Sequence, residues 1–298
     1  MWVKQDCPKC GCNDYSITPQ NGKGYCFQCG YFTQEGYEVK HTPRIRSDYK
    51  DEIRQYYTDA TNYYHSCLTL EAEHYLHQRG ISHDMIQKQR IGFCPLDKEN
   101  IFYKGTIPLE SGLATKSGLP ILAGRITFPY IVQNVVTDIR GRSLEPHAEV
   151  RYKSPFHDTY YRWADYPYYT LTESERIIIT EGEIKAIIST QCGFPCVAIP
   201  GISSWRPGFE SKEDRDEIIL LDNQRYNGRN LFRATCRIAR KLKNPKVATM
   251  PLFDQDNQDI DTFILRYGIG LYACIIDAAL PYDRWYELQP IEYRLERI

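Results

Sequence analysis

The sequence predicts an α+β multidomain chain: a small N-terminal β ribbon, then a mixed α/β subdomain, then an α/β subdomain built on a parallel sheet. Three observations on its 298 residues support this reading. Short strand-like runs near the N-terminus lie between paired cysteines. The middle passes from helical periodicity to β-rich alternation. Beyond about residue 170, β-branched runs alternate with helical stretches.

The ribbon comes first, over residues 1–39. Cys7-Pro-Lys-Cys10 and Cys26-Phe-Gln-Cys29 form two C-x-x-C pairs fifteen residues apart, the ligand spacing of a structural zinc site. Gly11 and Gly30 follow the pairs and free the backbone for tight knuckles. Cys12 falls outside the shell. The alternative to a Zn²⁺ shell is four free thiols or disulfides. Tyr15 to Thr18 and Gly24 to Phe27 read as strands around the turn Pro19 to Gly22. A ribbon this small owns little core, so zinc is expected to hold it together.

Eleven cysteines, no leader and no eighteen-residue apolar run predict a cytoplasmic protein with reduced thiols and no membrane partner. If phage-encoded, it would work in the host cytoplasm. A net charge of −1 excludes bulk attraction to nucleic acid, so any such contact needs local patches.

Residues 40–66 are expected as a linker, because Lys40 to Asp51 is polar, charged and without periodicity. Residues 67–170 form the second subdomain. Leu70, Tyr75 and Leu76 recur at helical spacing, Gly80 breaks the run, and Ser82 is placed to cap a second helix through Ile86. Arg125-Ile-Thr-Phe-Pro and Val135-Val-Thr-Asp-Ile then read as strands.

Residues 171–285 form the third subdomain, with residues 286–298 as a tail. Arg176-Ile-Ile-Ile-Thr suits a strand buried on both faces, followed by Glu181-Gly182 and a helix from Glu183 to about Thr190. Cys196-Val-Ala-Ile and Glu217-Ile-Ile-Leu-Leu give two more strands, the latter ending on Asp222. Ligands of open parallel sheets gather at the carboxyl ends of the strands, where Glu181 and Asp222 fall. Two acids there suit Mg²⁺ or Mn²⁺, which take hard oxygen ligands together with substrate phosphates. They would equally serve as caps of the following helices.

Arg225 to Lys246 carries eight basic residues and no acid. Arg229, Arg233, Arg237 and Lys241 share one helical face, with Leu231, Phe232, Thr235, Ile238, Ala239 and Leu242 on the other. Such a face is either merely solvated or a phosphate-backbone grip. A milder basic set is Arg140, Arg142, Arg151 and Lys153. Tyr160, Tyr161, Trp163, Tyr166, Tyr168 and Tyr169 cluster and suit core packing or base stacking.

Several of these segments, in fixed order, resemble the DnaG-type primases of bacteria and phages. The four-cysteine ribbon is similar to their zinc-binding domain. Tyr75-Leu-His-Gln-Arg-Gly-Ile-Ser and Ile91-Gly-Phe-Cys-Pro resemble the stretch that opens the primase core. Gly124-Arg-Ile-Thr-Phe-Pro, Arg140-Gly-Arg142 and Arg151-Tyr-Lys-Ser-Pro resemble its later motifs. Ile179-Thr-Glu181-Gly-Glu183 and Leu220-Leu-Asp222 resemble the two acidic motifs of the TOPRIM fold. The likeness runs through about residues 1–265.

The resemblance implies a primase core in which residues 171–285 are the TOPRIM subdomain, and an enzyme making RNA primers on single-stranded DNA from nucleoside triphosphates. Glu181 and Asp222 would be its catalytic, magnesium-holding acids. Arg125, Arg142 and Arg151 match basic positions that would grip template or triphosphate, and the basic patches read above would add Arg140, Lys153, Arg229 and Arg233 to that grip. The zinc ribbon would help select the template start. No Walker Gly-x-x-x-x-Gly-Lys-Ser/Thr occurs, so a replicative helicase is expected as a separate partner.

Two positions depart from the family pattern. The second motif reads Asp222-Asn-Gln224 instead of Asp-x-Asp, and Lys185 stands where an acid is usual. Asp254, Asp256, Asp259 and Asp261 lie downstream, and Asp259-Ile-Asp261-Thr-Phe resembles a further acidic motif, which would make Asp259 and Asp261 additional magnesium ligands; the alternative is a solvated loop with a helix cap. Two other readings remain: a zinc-ribbon DNA-binding protein without turnover, and a TOPRIM nuclease or topoisomerase-like enzyme.

Overall fold

The computed structural model describes residues 3–6, 8, 15–18, 22–26, 32–34, 37–38, 50–96, 111–115, 118–132, 134–145, 148–155, 166, 174–199, 211–224, 228–253 and 257–295. The chain divides into two compact units, residues 1–48 with 201–206, and residues 49–200 with 207–298.

The first unit is an antiparallel sheet of β1 (Val3–Gln5), β2 (Tyr15–Thr18), β3 (Lys23–Cys26), β4 (Phe32–Gln34) and β5 (Tyr37–Glu38), paired in chain order. The expected hairpin is β2 with β3, in register Tyr15 to Cys26. Cys26 therefore ends a strand. Cys7, Cys10 and Cys29 lie outside the described residues, as does the Cys26 side chain.

The second unit opens with α1 (Lys50–Ser66), a helix where the sequence predicts linker. Over residues 50–66 the linker reading fails because tyrosines carry the apolar face: Tyr57, Ala60 and Tyr64 are buried with Leu122, Val136 and Ile139, while residues 40–49 lie outside the described residues. Helices α2 (Leu70–Gln78) and α3 (His83–Lys88) follow as expected, and the Ser82 side chain accepts from the Met85 amide to cap α3. Gly80 takes φ +90°, a conformation that favours glycine.

A four-stranded antiparallel sheet comes next: β6 (Gly92–Cys94), β7 (Arg125–Val132), β8 (Val135–Ser143) and β9 (Tyr152–Lys153). Gly92 is required sterically, because a Cβ there would stand 2.3 Å from the Tyr64 carbonyl carbon of α1.

The last part alternates strand and helix. It comprises β10 (Arg176–Glu181), α4 (Glu183–Gln191), β11 (Cys196–Ile199), β12 (Asp216–Ile219), β13 (Asn223–Gln224), α5 (Gly228–Ala239) and β14 (Pro245–Val247). It continues through β15 (Asn257–Gln258), α6 (Ile260–Tyr267), α7 (Ile269–Asp277), β16 (Leu280–Pro281), α8 (Tyr282–Glu287) and α9 (Ile291–Arg294). The sheet order is β11-β10-β12-β14-β16. Its first four strands are parallel, as the β-branched runs predict, but β16 closes one edge antiparallel.

On α5 the predicted apolar side holds, with Phe232, Thr235, Ile238 and Ala239 buried. The expected tail is instead packed structure: Phe232 lies against Trp285, Tyr286 and Tyr293. Of the predicted aromatic cluster, Tyr166 is described, and it belongs to the core. Its backbone bridges to Ala198 and its ring lies 5.1 Å from Tyr130. One buried cluster joins Leu76, Ile86 and Phe128 to Ile178, Ile187 and Phe263, so the two predicted core subdomains share a hydrophobic interior.

Candidate active site at the acidic edge of the parallel sheet

Strand pairing brings the predicted acids to one end of the sheet. In the parallel pair β10 and β12, Ile179 lies opposite Ile219, and the Leu220 amide donates to the Ile179 carbonyl at 2.9 Å. Glu181 ends β10 and Asp222 follows the end of β12, so the two stand at neighbouring carboxyl ends. A second pairing delivers Asp259. The two-residue ladder of β13 and β15 sets Asn223 opposite Gln258, which puts Asp222 and Asp259 at its same end. The Asn223 side chain anchors this ladder by donating to the Met250 carbonyl at 2.7 Å.

Glu181 is not a helix cap. The residue preceding α4 is Gly182, at φ +93° and without a side-chain cap. Asp259 does cap α6, accepting from the Thr262 amide at 3.3 Å and from its hydroxyl. Lys185, on the first turn of α4, donates to Asp222 Oδ2.

Burial pushes the Asp222 carboxyl above its ordinary range, Lys185 pulls it down, and the charges of Asp259 and Glu181 push it up again. For Asp259, burial also pushes up, but the Thr262 hydrogen bond and the Lys185 charge outweigh it and hold the group below its ordinary value. Asp222 Oδ1 is buried and accepts no hydrogen bond. An anionic oxygen shielded from water without a partner is unfavourable unless a cation reaches it, so this donor set fits a hard divalent ion. Among the described residues, no three His, Cys, Asp or Glu side chains converge into a ready-made cluster.

Asp261 sits differently. It is fully buried and forms an ion pair with Arg79 of α2, whose Nε donates to Asp261 Oδ2 at 2.5 Å. Its carboxylate therefore faces a guanidinium. Asp254 and Asp256 lie outside the described residues, as does the side chain of Gln224.

The basic positions divide in two. Arg140 is drawn inward to Glu183 at 3.0 Å, and the Tyr130 hydroxyl donates to the same carboxylate oxygen at 2.6 Å. The Arg140 guanidinium lies 4.5 Å from the Tyr152 ring centre. Arg142, 5% exposed, donates to the Tyr152 hydroxyl and lies 5.5 Å from the Tyr75 ring. Tyr75 in turn accepts from Arg79 at 2.9 Å. These contacts form a chain from Glu183, two residues beyond Glu181, to Asp261, two beyond Asp259.

The remaining basic residues lie nearer the surface. Arg125 donates to the Arg151 carbonyl at 3.0 Å, and burial lowers its pKa. Arg151 is exposed, and Lys153 pairs across from Gly141. Arg229 is exposed on α5, with its guanidinium 5.7 Å from the Tyr293 ring, and Arg233 is half-buried one turn on. Sequence reading misses the roles of Arg79, Glu183 and Tyr130. The available signal was that Arg79 and Glu183 each lie inside a recognised motif.

A family model described as a domain of unknown function (DUF3854) matches residues 168–264. The Gene 57 protein of Mycobacterium phage D29 is 31% identical over 97 residues, which is 32% of this chain and 59% of that protein. A DNA primase of Rickettsia conorii is 26% identical over 252 residues, covering 76% of this chain and 41% of the primase. The chain thus spans less than half the length of that curated primase.

Among solved structures, a DnaG primase catalytic domain bound to single-stranded DNA aligns over 80% of this chain and 85% of its own, with a TM-score of 0.63 and 19% identity. The zinc-binding and RNA polymerase domains of Aquifex aeolicus primase align over 95% of this chain and 80% of their own, with a TM-score of 0.59 and 16% identity. The fold is therefore that of the DnaG primase catalytic core, and the chain is similar in sequence to curated DNA primases.

Proposed function

We propose that the protein is a DNA primase, synthesising short RNA primers on single-stranded DNA by metal-dependent nucleotidyl transfer. What supports this reading is that strand pairing sets the backbone positions of Glu181, Asp222 and Asp259 at one sheet end, with Asp222 Oδ1 buried and unpartnered. Mg²⁺ or Mn²⁺ bound there would neutralise triphosphate charge and activate the attacking hydroxyl.

In the reaction, the 3′ hydroxyl oxygen of one nucleotide bonds to the α-phosphorus of a nucleoside triphosphate. The bond from that phosphorus to the bridging oxygen breaks, pyrophosphate leaves, and the hydroxyl proton passes to water. Such displacement depends on positioning and charge more than on a covalent nucleophile. Glu181, Asp222 and Asp259 hold the metal. Asp261 acts through α6, by fixing the helix that Asp259 caps. Arg125, Arg151 and Lys153 offer the nearby cationic strand surface to template or triphosphate, with Arg229 and Arg233 a second patch on α5. Arg140 and Arg142 serve the same surface from beneath, as supports.

Incubated with circular single-stranded DNA, labelled ribonucleotides and Mg²⁺ or Mn²⁺, the full chain is expected to make short RNA oligomers, and none once divalent cation is withheld. DNA bound but never extended would identify a binding protein without turnover, and nicked DNA a hydrolytic enzyme. A separate replicative helicase would supply the unwound template. No described helix is long and apolar enough to cross a membrane.

Cys7, Cys10, Cys26 and Cys29 bind one Zn²⁺ in this reading, and the ribbon they close reads the template. Elemental analysis of the purified chain should find about one zinc per chain, lost in Cys7→Ser with Cys29→Ser. A zinc-free chain with an intact ribbon would remove this assignment.

A further inference from the structure

Lys185 occupies a position at which the surrounding chemistry calls for a cation. It is the third residue of α4, the helix that starts just beyond Glu181, and its ammonium touches Asp222 Oδ2. The pair is largely enclosed, with side-chain exposures of 13% for Lys185 and 22% for Asp222. Enclosure matters, because a surface pair would be screened to insignificance whereas this one acts at reduced dielectric.

The two Asp222 oxygens are thereby distinguished. Oδ2 is taken by the ammonium, and Oδ1 is buried with no partner. Lys185 also acts on Asp259 across the same edge, as it does on Asp222. Three carboxylates and one ammonium leave a formal charge of two negative, which one divalent ion balances. Asp261 adds nothing to this sum, because Arg79 already neutralises it.

Resting on the primase reading of this edge, we propose that Lys185 is a resident cation standing in for one metal ion. The site then takes a single divalent ion on the Asp222 Oδ1 side, and the Lys185 ammonium binds the nucleoside triphosphate directly. An ammonium suits this role, since it carries three donors and can hold a phosphate oxygen while keeping Asp222. The ammonium would then share triphosphate recognition with the single divalent ion, which offsets the two negative charges of the site.

The test uses the full zinc-loaded chain and two readouts besides activity. One is the number of Mn²⁺ ions bound, counted by electron paramagnetic resonance as those lost in Asp222→Asn. The other is ATP affinity by equilibrium dialysis at saturating Mg²⁺. The wild-type chain should bind one such Mn²⁺, and Lys185→Asp two. Lys185→Met should weaken ATP binding by about tenfold or more, while Lys185→Arg keeps it. Melting curves of each variant exclude unfolding.

Two Mn²⁺ in the wild-type chain, or unchanged ATP binding in Lys185→Met, would overturn the proposal. If primer synthesis persisted alongside that result, the primase reading would stand without it. If neither Mn²⁺ nor ATP bound any form, both would fall.

Discussion

Glu181→Gln is expected to reduce primer synthesis by about a thousandfold, with little change in melting temperature. The substitution keeps side-chain size and removes one anion from the carboxyl end of β10, where strand pairing sets it beside Asp222. Preorganised charge at a reacting phosphate is a large term in such catalysis, with single groups worth roughly 10²–10³ or more. Glu181 is half-buried and not a helix cap, so the fold does not depend on its charge. The measurement is oligomer yield per chain at saturating Mg²⁺, beside a thermal melt. Retained synthesis would show that the metal edge lies elsewhere. A collapse of the melt along with activity would make Glu181 a structural acid.

Arg79→Ala is expected to destabilise the second unit by about 3–5 kcal/mol, because it strips the guanidinium from a fully buried carboxylate. Asp261 is 0% exposed and its Oδ1 already accepts no hydrogen bond. Arg79 also donates to Tyr75, so the same change frees a second polar group. The companion Asp261→Asn, made in the Arg79→Ala background, should recover a large part of the loss by removing the stranded charge. A urea titration of both variants measures this. Equal destabilisation in the single and double variants would show that Arg79 contributes packing and not charge.

Much of the architecture was legible in the residues. The β-branched run from Arg176, the strand ending near Asp222 and the Ser82 cap all became the elements their local chemistry specifies. Local signals sufficed there because each depends on neighbours in sequence. α1 was not legible, since tyrosine is ambiguous between polar and apolar and its buried face is Tyr57 and Tyr64. β16 was also hidden, because a two-residue edge strand has too few residues for any pattern.

At the acidic edge, Glu181, Asp222 and Asp259 could be named from motifs. Their order of proximity could not, because the β13 and β15 ladder is two residues long and pairs across a loop. The division of the basic residues was equally invisible. Arg140 and Arg125 look alike in sequence, and only the buried Glu183 distinguishes them.

The Arg79 to Asp261 ion pair joins residues 182 positions apart. At a ribosomal rate of about 5–20 residues per second, the guanidinium leaves synthesis roughly 10–35 s before its carboxylate partner exists. Through that interval the α2 end of the core can collapse on its own leucines but cannot neutralise Arg79, and Asp259, two residues before Asp261, is not yet made either. The nascent chain is thus barred from assembling a working acidic edge early. The contact that fixes α6 becomes available only with Asp261, two residues after the acid that caps this helix, so the anchored helix and its acid arrive together.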